Sequence, residues 1–466
     1  MRAKYFICSI FVVLQCCGVV CLASNETTGE AVKAVIDLLK SSDPDMQTVA
    51  ITMARELPGK EVTETLVKEL PNLSSVAQVQ LLSVLADRGG DLASSGLLPV
   101  VIGYTKDKEP SVRIAALKAL GQLGDASNVT MLAEAAAKSR GQEQKAARES
   151  LYRLRGGEVD KKILADTLSA SGYVKIELIR SIGERNIKDG VDTLLRAAQD
   201  QDIMVQQESF KVLKVLADRK YLPALIQLLV EIENESVRRE AEKTVAAIAL
   251  KIEDKNHQAD VVLMALPKVT EIQQRCTLLS VLGKIGNDTA MAAIRAALKS
   301  DSEKERDTAV RALSEWPNPK PIDDLLTIAK TSESKVHKIL ALRGFVRLIG
   351  IEENLSADDA IKMYRQAMEL SEDAREKKMV LSGLASLKSL AALDMVASYL
   401  QDAALQQEAE VAVIKIAENI YSDYPKQTRD ILNKIIETSK NDSVRKQAQE
   451  IIKNEGRAII EEEQNF

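Results

Sequence analysis

Few side chains in this 466-residue sequence could carry chemistry by type. The only histidines, His257 and His337, stand far apart in the chain. A metal site needs several nitrogen, sulfur or carboxylate ligands converging on one point, so neither a metal nor another cofactor is expected. Four of the five cysteines (Cys8, Cys16, Cys17, Cys21) lie near the N-terminus. The fifth, Cys276, falls inside a helical pattern and reads as a helix residue, not a nucleophile. The glycines of "LGQLGD" and "LGKIGND" resemble a phosphate loop only superficially. Such a loop opens a helix after a strand, whereas these glycines follow helices and read as C-caps. Trp316, the only tryptophan, shares the phase of Leu123 and reads as core. Aromatic residues make up 3% of the chain, too few to stack sugars or single-stranded nucleic acid along a surface. Carboxylates are abundant, but no pair stands out from solvated helix faces, so no catalytic residue is assigned.

The elements that would position any site emerge when the chain is aligned on itself. Taking Val112 as an anchor, apolar or small residues recur at offsets +4, +5, +8 and +11, the spacing that lines one face of a helix. Equivalent anchors fall at Met46, Ala77, Glu143, Val174, Val205, Val237, Gln274, Glu305, His337, Glu376, Leu405 and Val444. So steady a period marks a solenoid of about thirteen units. A shorter helical stretch precedes each anchored one, as in "YLPALIQLLVE" at 221–231, and Asp, Ser, Asn and Pro clusters separate the two. Each unit is therefore a helical hairpin. A single hairpin cannot cover its own apolar stripe and must bury it against neighbours. Leu120, Leu213, Leu282 and Leu313 share one phase at the centre of that stripe. Longer loops are expected near 251–270, 349–358 and 419–427, and the prolines of "EWPNPKP" at 315–321 end a helix abruptly.

The run "DKEPSVR" at 107–113, followed by "AALKALGQLGD", resembles the HEAT repeat, especially its short bacterial, bilin-lyase-like form. Pro99 and Pro223 occupy the proline position common in that family's first helix. The resemblance covers residues 30 to about 455. It implies an all-α, right-handed solenoid of about thirteen tandem hairpins, with the second helix of each lining a concave side. Iron-dependent hydroxylases built on HEAT repeats carry His-Glu pairs, but the histidines here are followed by Gln258 and Lys338, so that enzyme class is not expected. The family often pairs an Asp with an Arg six positions later. Only Asp107 and Arg113 keep that pair, so stacking elsewhere is expected to rest on apolar contacts.

Offset +6 of the anchored helix points opposite its apolar stripe at 100° per residue. Six of its thirteen occupants are basic: Lys118, Arg180, Lys211, Lys243, Arg311 and Arg343. Together with the resemblance, they suggest a basic ridge on the concave side that attracts a protein or extended anionic partner, against the plainer reading of a solvated helix face.

The start of the chain places Arg2 and Lys4 before an apolar run, then Cys21-Leu22-Ala23 with small residues where a signal peptidase reads. Residues 1–23 read as a secretion signal and residues 24–456 as the solenoid. Glu461, Glu462 and Glu463 give residues 457–466 the look of an acidic tail. The protein is expected to be exported, periplasmic or secreted, with an uncleaved N-terminal membrane anchor as the alternative. Losing Arg2 and Lys4 with the leader takes the formal net charge from −5 to −7, which disfavours nucleic acid as a partner. Asn-X-Ser/Thr sequons occur at Asn25, Asn72, Asn128, Asn234, Asn287, Asn354 and Asn441, but turns and N-caps select the same residues. The sequence thus predicts a non-catalytic scaffold. A lyase or isomerase using groove carboxylates and a purely structural envelope spacer are the competing readings.

Overall fold

Thirteen anchors become thirteen hairpins. The computed structural model describes residues 25–88 and 96–464; the expected secretion signal lies outside them. The described chain divides into two compact units between Leu216 and Ala217. The first unit holds six hairpins, each a first helix followed by an anchored one. They are α1 Asn25–Leu39 with α2 Pro44–Glu56, α3 Lys60–Glu69 with α4 Ser75–Asp87, and α5 Leu97–Tyr104 with α6 Pro110–Leu123. Next come α7 Val129–Lys138 with α8 Gly141–Arg153, α9 Val159–Ser169 with α10 Gly172–Glu184, and α11 Val191–Ala197 with α12 Ile203–Leu216.

The second unit holds seven. These are α13 Leu222–Glu231 with α14 Glu235–Ala249, α15 Asp260–Ala265 with α16 Ile272–Ile285, α17 Asp288–Ala297 with α18 Glu303–Ser314, and α19 Ile322–Thr331 with α20 Lys335–Ile349. The last three are α21 Ala357–Leu370 with α22 Ala374–Leu384, α23 Leu390–Ala397 with α24 Gln406–Ile420, and α25 Pro425–Thr438 with α26 Asp442–Gln464. No strand occurs among the described residues. Twelve anchors sit in the first turn of an even-numbered helix, and Leu405 is the N-cap of its own.

Local chemistry explains where the helices begin. Asp43, Ser74, Asn234, Ser302, Ser334 and Asp373 each accept a hydrogen bond from a backbone N–H of the helix they cap, satisfying donors that have no intrahelical partner. Pro44, Pro110 and Pro425 stand at helix starts, where a missing N–H costs nothing. Four sequon asparagines serve the backbone: Asn128 is buried and accepts from Asp125 N, Asn234 caps α14, Asn287 caps α17, and Asn441 accepts from Ser443 N. The expected acidic tail continues the backbone of α26 as helix to Gln464.

Within each unit every even-numbered helix packs on the next, and every odd-numbered helix packs on its own hairpin partner, giving two helical layers. Leu120, Leu213, Leu282 and Leu313 are fully buried between them. So is Trp316, just beyond the end of α18. Cys276 is buried in α16, where burial pushes its thiol pKa up.

The glycines expected as caps divide into two kinds. Gly124 and Gly286 do follow α6 and α16, and Gly286 adopts the left-handed conformation, φ 69°, that suits glycine. Gly121 and Gly283 instead lie inside those helices, where consecutive even helices touch. A Cβ at Gly121 would stand 2.7 Å from Ser150 Cα on α8, and one at Gly283 would stand 2.7 Å from Ala312 Cβ on α18.

Candidate binding face

The side of the even-helix layer that faces away from the odd helices carries the side chains at offset +6. All thirteen, from Thr52 in α2 to Glu450 in α26, are exposed or half-buried. The six basic ones fall three to each unit, and their surroundings differ.

In the first unit, Lys118 is exposed on α6 with no ion pair among the described residues. Arg180 on α10 donates from Nε to Glu208 Oε1 at 2.9 Å and from Nη1 to Glu177 Oε1 at 2.9 Å. Lys211 on α12 reaches the other oxygen of Glu208 at 3.2 Å. Arg148 on α8 completes the series, donating twice to Glu177 at 2.6 Å. A charge ladder, Arg148–Glu177–Arg180–Glu208–Lys211, thus ties α8, α10 and α12 together. The Glu177 side chain is only 2% exposed, a burial that a carboxylate tolerates because two guanidiniums surround it. Burial acts to raise the Glu208 carboxyl pKa, but the hydrogen bonds and charges of Arg180 and Lys211 outweigh it and hold it below the ordinary range. Tyr152, half-buried nearby, is pushed up to about 12, first by burial and then by the charge of Glu177.

In the second unit Lys243 lies 3.8 Å from Glu240, and Arg311 donates to Asp307 at 2.8 Å. Arg343 is exposed on α20 with no ion pair among the described residues. The row at offset +6 is therefore a face of mostly matched charges, with open positive charge at Lys118 and Arg343.

Sequence reasoning missed the polar chemistry of the seams. Arg113 does not pair with the Asp107 carboxylate. Its Nη1 donates to the Asp107 backbone carbonyl at 2.9 Å, while Nε and Nη2 clamp Glu143 on the next anchored helix at 3.0 and 2.8 Å. The contact recurs where Arg275 on α16 pairs with Glu305, 5% exposed, on α18. Stacking therefore does not rest on apolar contacts alone, and two of the anchors, Glu143 and Glu305, are ion-pair partners.

The first half of the Arg113 pattern recurs in eight other hairpins. Gln47, Gln78, Gln206, Arg238, Arg275, Arg306 and Arg445 also donate to backbone carbonyls of the turn before their own helix, and Gln144 to that of Ala136 in the last turn of α7. Each is the residue after an anchor. That position is Gln, Arg or Lys in all thirteen hairpins, a signal that was available in the sequence: long side chains with N–H donors, placed where a helix has just left carbonyls without partners.

Where the ladder has not begun, the face opens into a cleft of about 380 Å³ over α4, α6 and α8. Ser83, Lys118 and Glu149, each at offset +6 in three consecutive hairpins, line it, joined by Arg153 at the end of α8. Val79, Ile114 and Ala115 give it a half-buried apolar floor. Close approach of α6 and α8 at Gly121 and Ser150 makes the layer thin there.

The histidines do not meet. His257 binds Asp260 at 2.7 Å on an exposed turn before α15, and hydrogen bonding to that carboxylate raises its pKa. His337 lies 3.5 Å from Asp307. No group of three or more His, Cys, Asp or Glu side chains suited to a metal occurs among the described residues, and no described helix is long and apolar enough to cross a membrane.

Two layers of stacked hairpins with an open even-helix face define an α-solenoid of the repeat class. Residues 63–152 and 162–249 match the family described as HEAT repeats, so those two stretches carry HEAT repeats. No curated protein matches the chain in sequence. Among solved structures, Kap121p bound to Pho4p is similar in fold at 12% identity and a TM-score of 0.52, over 92% of this chain and 54% of that one. The karyopherin Kap121p bound to the SUMO protease Ulp1p is similar at 12% identity and a TM-score of 0.54, over 92% and 53%. The chain thus spans about half the length of these structures.

Proposed function

We propose that this chain is an exported, non-catalytic scaffold that binds a protein partner on the open face of its even helices. The observation that carries the reading is that face itself: the positions at offset +6 in all thirteen hairpins remain open while the opposite side of the same helices is buried. A repeat solenoid presents such a surface at every unit and uses it for extended binding. Fold neighbours captured with protein partners support it. The residues that could do chemistry by type are otherwise engaged, with Cys276 buried, His257 held by Asp260 and His337 beside Asp307. The basic, apolar and small-residue pattern of residues 1–23 supports export.

The test is site-specific photo-crosslinking in the native cell, from Ser83 and Gln122 on the even-helix face and from Lys161 on α9 in the other layer. Discrete adducts with one protein from the first pair and not from Lys161 are expected. Equal or absent labelling from both faces would overturn the scaffold reading. Fractionation with N-terminal sequencing of the mature chain tests export, which predicts a new terminus after Ala23.

A further inference from the structure

Positive charge on the even-helix face of the first unit is nearly all spoken for. Arg113 is clamped by Glu143, Arg148 and Arg180 share Glu177, and Arg180 and Lys211 share Glu208. Such pairs present little net field to a ligand, because each cation is cancelled within a few ångströms. Lys118 and Arg153 differ. Both are exposed, both line the cleft over α4, α6 and α8, and neither has an ion pair among the described residues. The one carboxylate in the lining, Glu149, lies 3.9 Å from Lys145 on its own helix, so part of its charge is already answered. The cleft therefore carries net positive charge at the rim.

Its floor is apolar. Val79, Ile114 and Ala115 are half-buried, and each turns part of its surface to the cleft. At about 380 Å³ the volume sits at the low end of the range for ligand pockets. That suits one or two side chains of a chain passing across the layer better than a whole cofactor. An aliphatic side chain would lie on the floor, and carboxylates on either side of it would meet the Lys118 ammonium and the Arg153 guanidinium. An arginine offers a carboxylate two parallel donors, and a lysine offers a movable point charge.

Resting on the reading that the partner is a protein, we propose that this cleft seats an extended acidic segment of that partner, an aliphatic side chain flanked by carboxylates, with Lys118 and Arg153 as its charge contacts. The rest of the first unit's face, its cations paired, then acts as a neutral track, and the cleft sets where on that unit the segment is anchored.

The test uses the full chain and three sets of degenerate nine-residue peptides in which leucine alternates with glutamate, glutamine or lysine. Binding is read by fluorescence anisotropy at low and moderate salt. The glutamate set is expected to bind at least tenfold more tightly than the glutamine set, with the difference shrinking as salt rises. K118E/R153E is expected to lose that tenfold and to prefer the lysine set, with an unchanged circular dichroism spectrum because both side chains are exposed. K161E, on α9 in the other layer, is the control and should leave glutamate binding intact.

The proposal is overturned if the glutamate set binds no better than glutamine, if K118E/R153E leaves binding unchanged, or if K161E removes as much. Failure here is distinguishable from failure of the scaffold reading. Crosslinks from Ser83 and Gln122 to one protein, with no acidic-peptide preference, would retain the scaffold and discard the acidic segment. Absence of those crosslinks would discard both.

Discussion

Three glycine-to-alanine changes should diverge in sign, because the residues that meet the new methyl group differ. Alanine is favoured over glycine inside a helix by about 1 kcal/mol. At Gly103 in α5 nothing lies within 4 Å of the added Cβ, so G103A should stabilise by up to that amount, less for a site one residue from the helix end. At Gly121 the same methyl would stand 2.7 Å from Ser150 Cα and 2.8 Å from Ser150 Cβ. Ordinary carbon contacts are about 3.5–4.0 Å, so α6 and α8 would have to part by about 1 Å along their contact. Overpacking of this kind costs about 1–3 kcal/mol. Set against the propensity gain, G121A should be destabilising by up to about 2 kcal/mol.

Gly283, facing Ala312 Cβ at 2.7 Å and Cα at 3.1 Å, should behave like Gly121. There A312G should recover part of the loss, because it removes the nearer atom. Urea unfolding followed by circular dichroism gives the stabilities, and hydrogen exchange locates the change. Protection should fall in the two hairpins that share the altered contact, as nearest-neighbour coupling requires. If G121A stabilised as much as G103A, the close approach of consecutive even helices would be refuted.

Other expectations follow from the seams. Glu177→Gln should cost about 3 kcal/mol, since it leaves the guanidiniums of Arg148 and Arg180 side by side without their shared anion; a double-mutant cycle with Arg148→Met should recover much of the penalty. The Glu143 carboxyl is held below 4.5, chiefly by hydrogen bonds from Arg113, and the Glu305 carboxyl is also lowered, its Ser300 and Arg275 contacts outweighing burial. A lowered folded-state pKa gives stability that is present above the unfolded value and lost as pH falls through the folded one. The urea midpoint should therefore drop below about pH 4.5, and Glu143→Gln should flatten that dependence. Arg306→Leu should cost about 1–2 kcal/mol by freeing the Ser300 and Asp301 carbonyls, whereas Arg306→Gln should cost less than half as much, because Gln47 and Gln206 already make this contact elsewhere.

Periodic features were legible in the sequence; features made by neighbouring hairpins were not. Helix positions, the buried phase of Leu120 and Leu282 and the open phase at +6 each follow from the helical period, and the structure places them accordingly. Arg148 and Glu177, in contrast, are 29 residues apart on different helices. Their meeting depends on the offset between consecutive hairpins, which no single helix encodes. The same is true of Gly121, whose partner Ser150 is fixed only once α6 and α8 lie together. The cleft was half visible, as Ser83, Lys118 and Glu149 at one recurrent phase, while Arg153 joins it only through the stacking of α8.

Where the residue after an anchor grasps a carbonyl, that bond stays within its own hairpin, whereas the carboxylate clamps cross from one hairpin to the next. Turn closure and seam formation are therefore separate inheritances. A duplicated or deleted hairpin would carry its own closure intact and need only find an acceptable neighbour. Lineages could lengthen, shorten or re-charge such a protein one module at a time, with the hairpin, the period of the sequence, as the unit of tinkering.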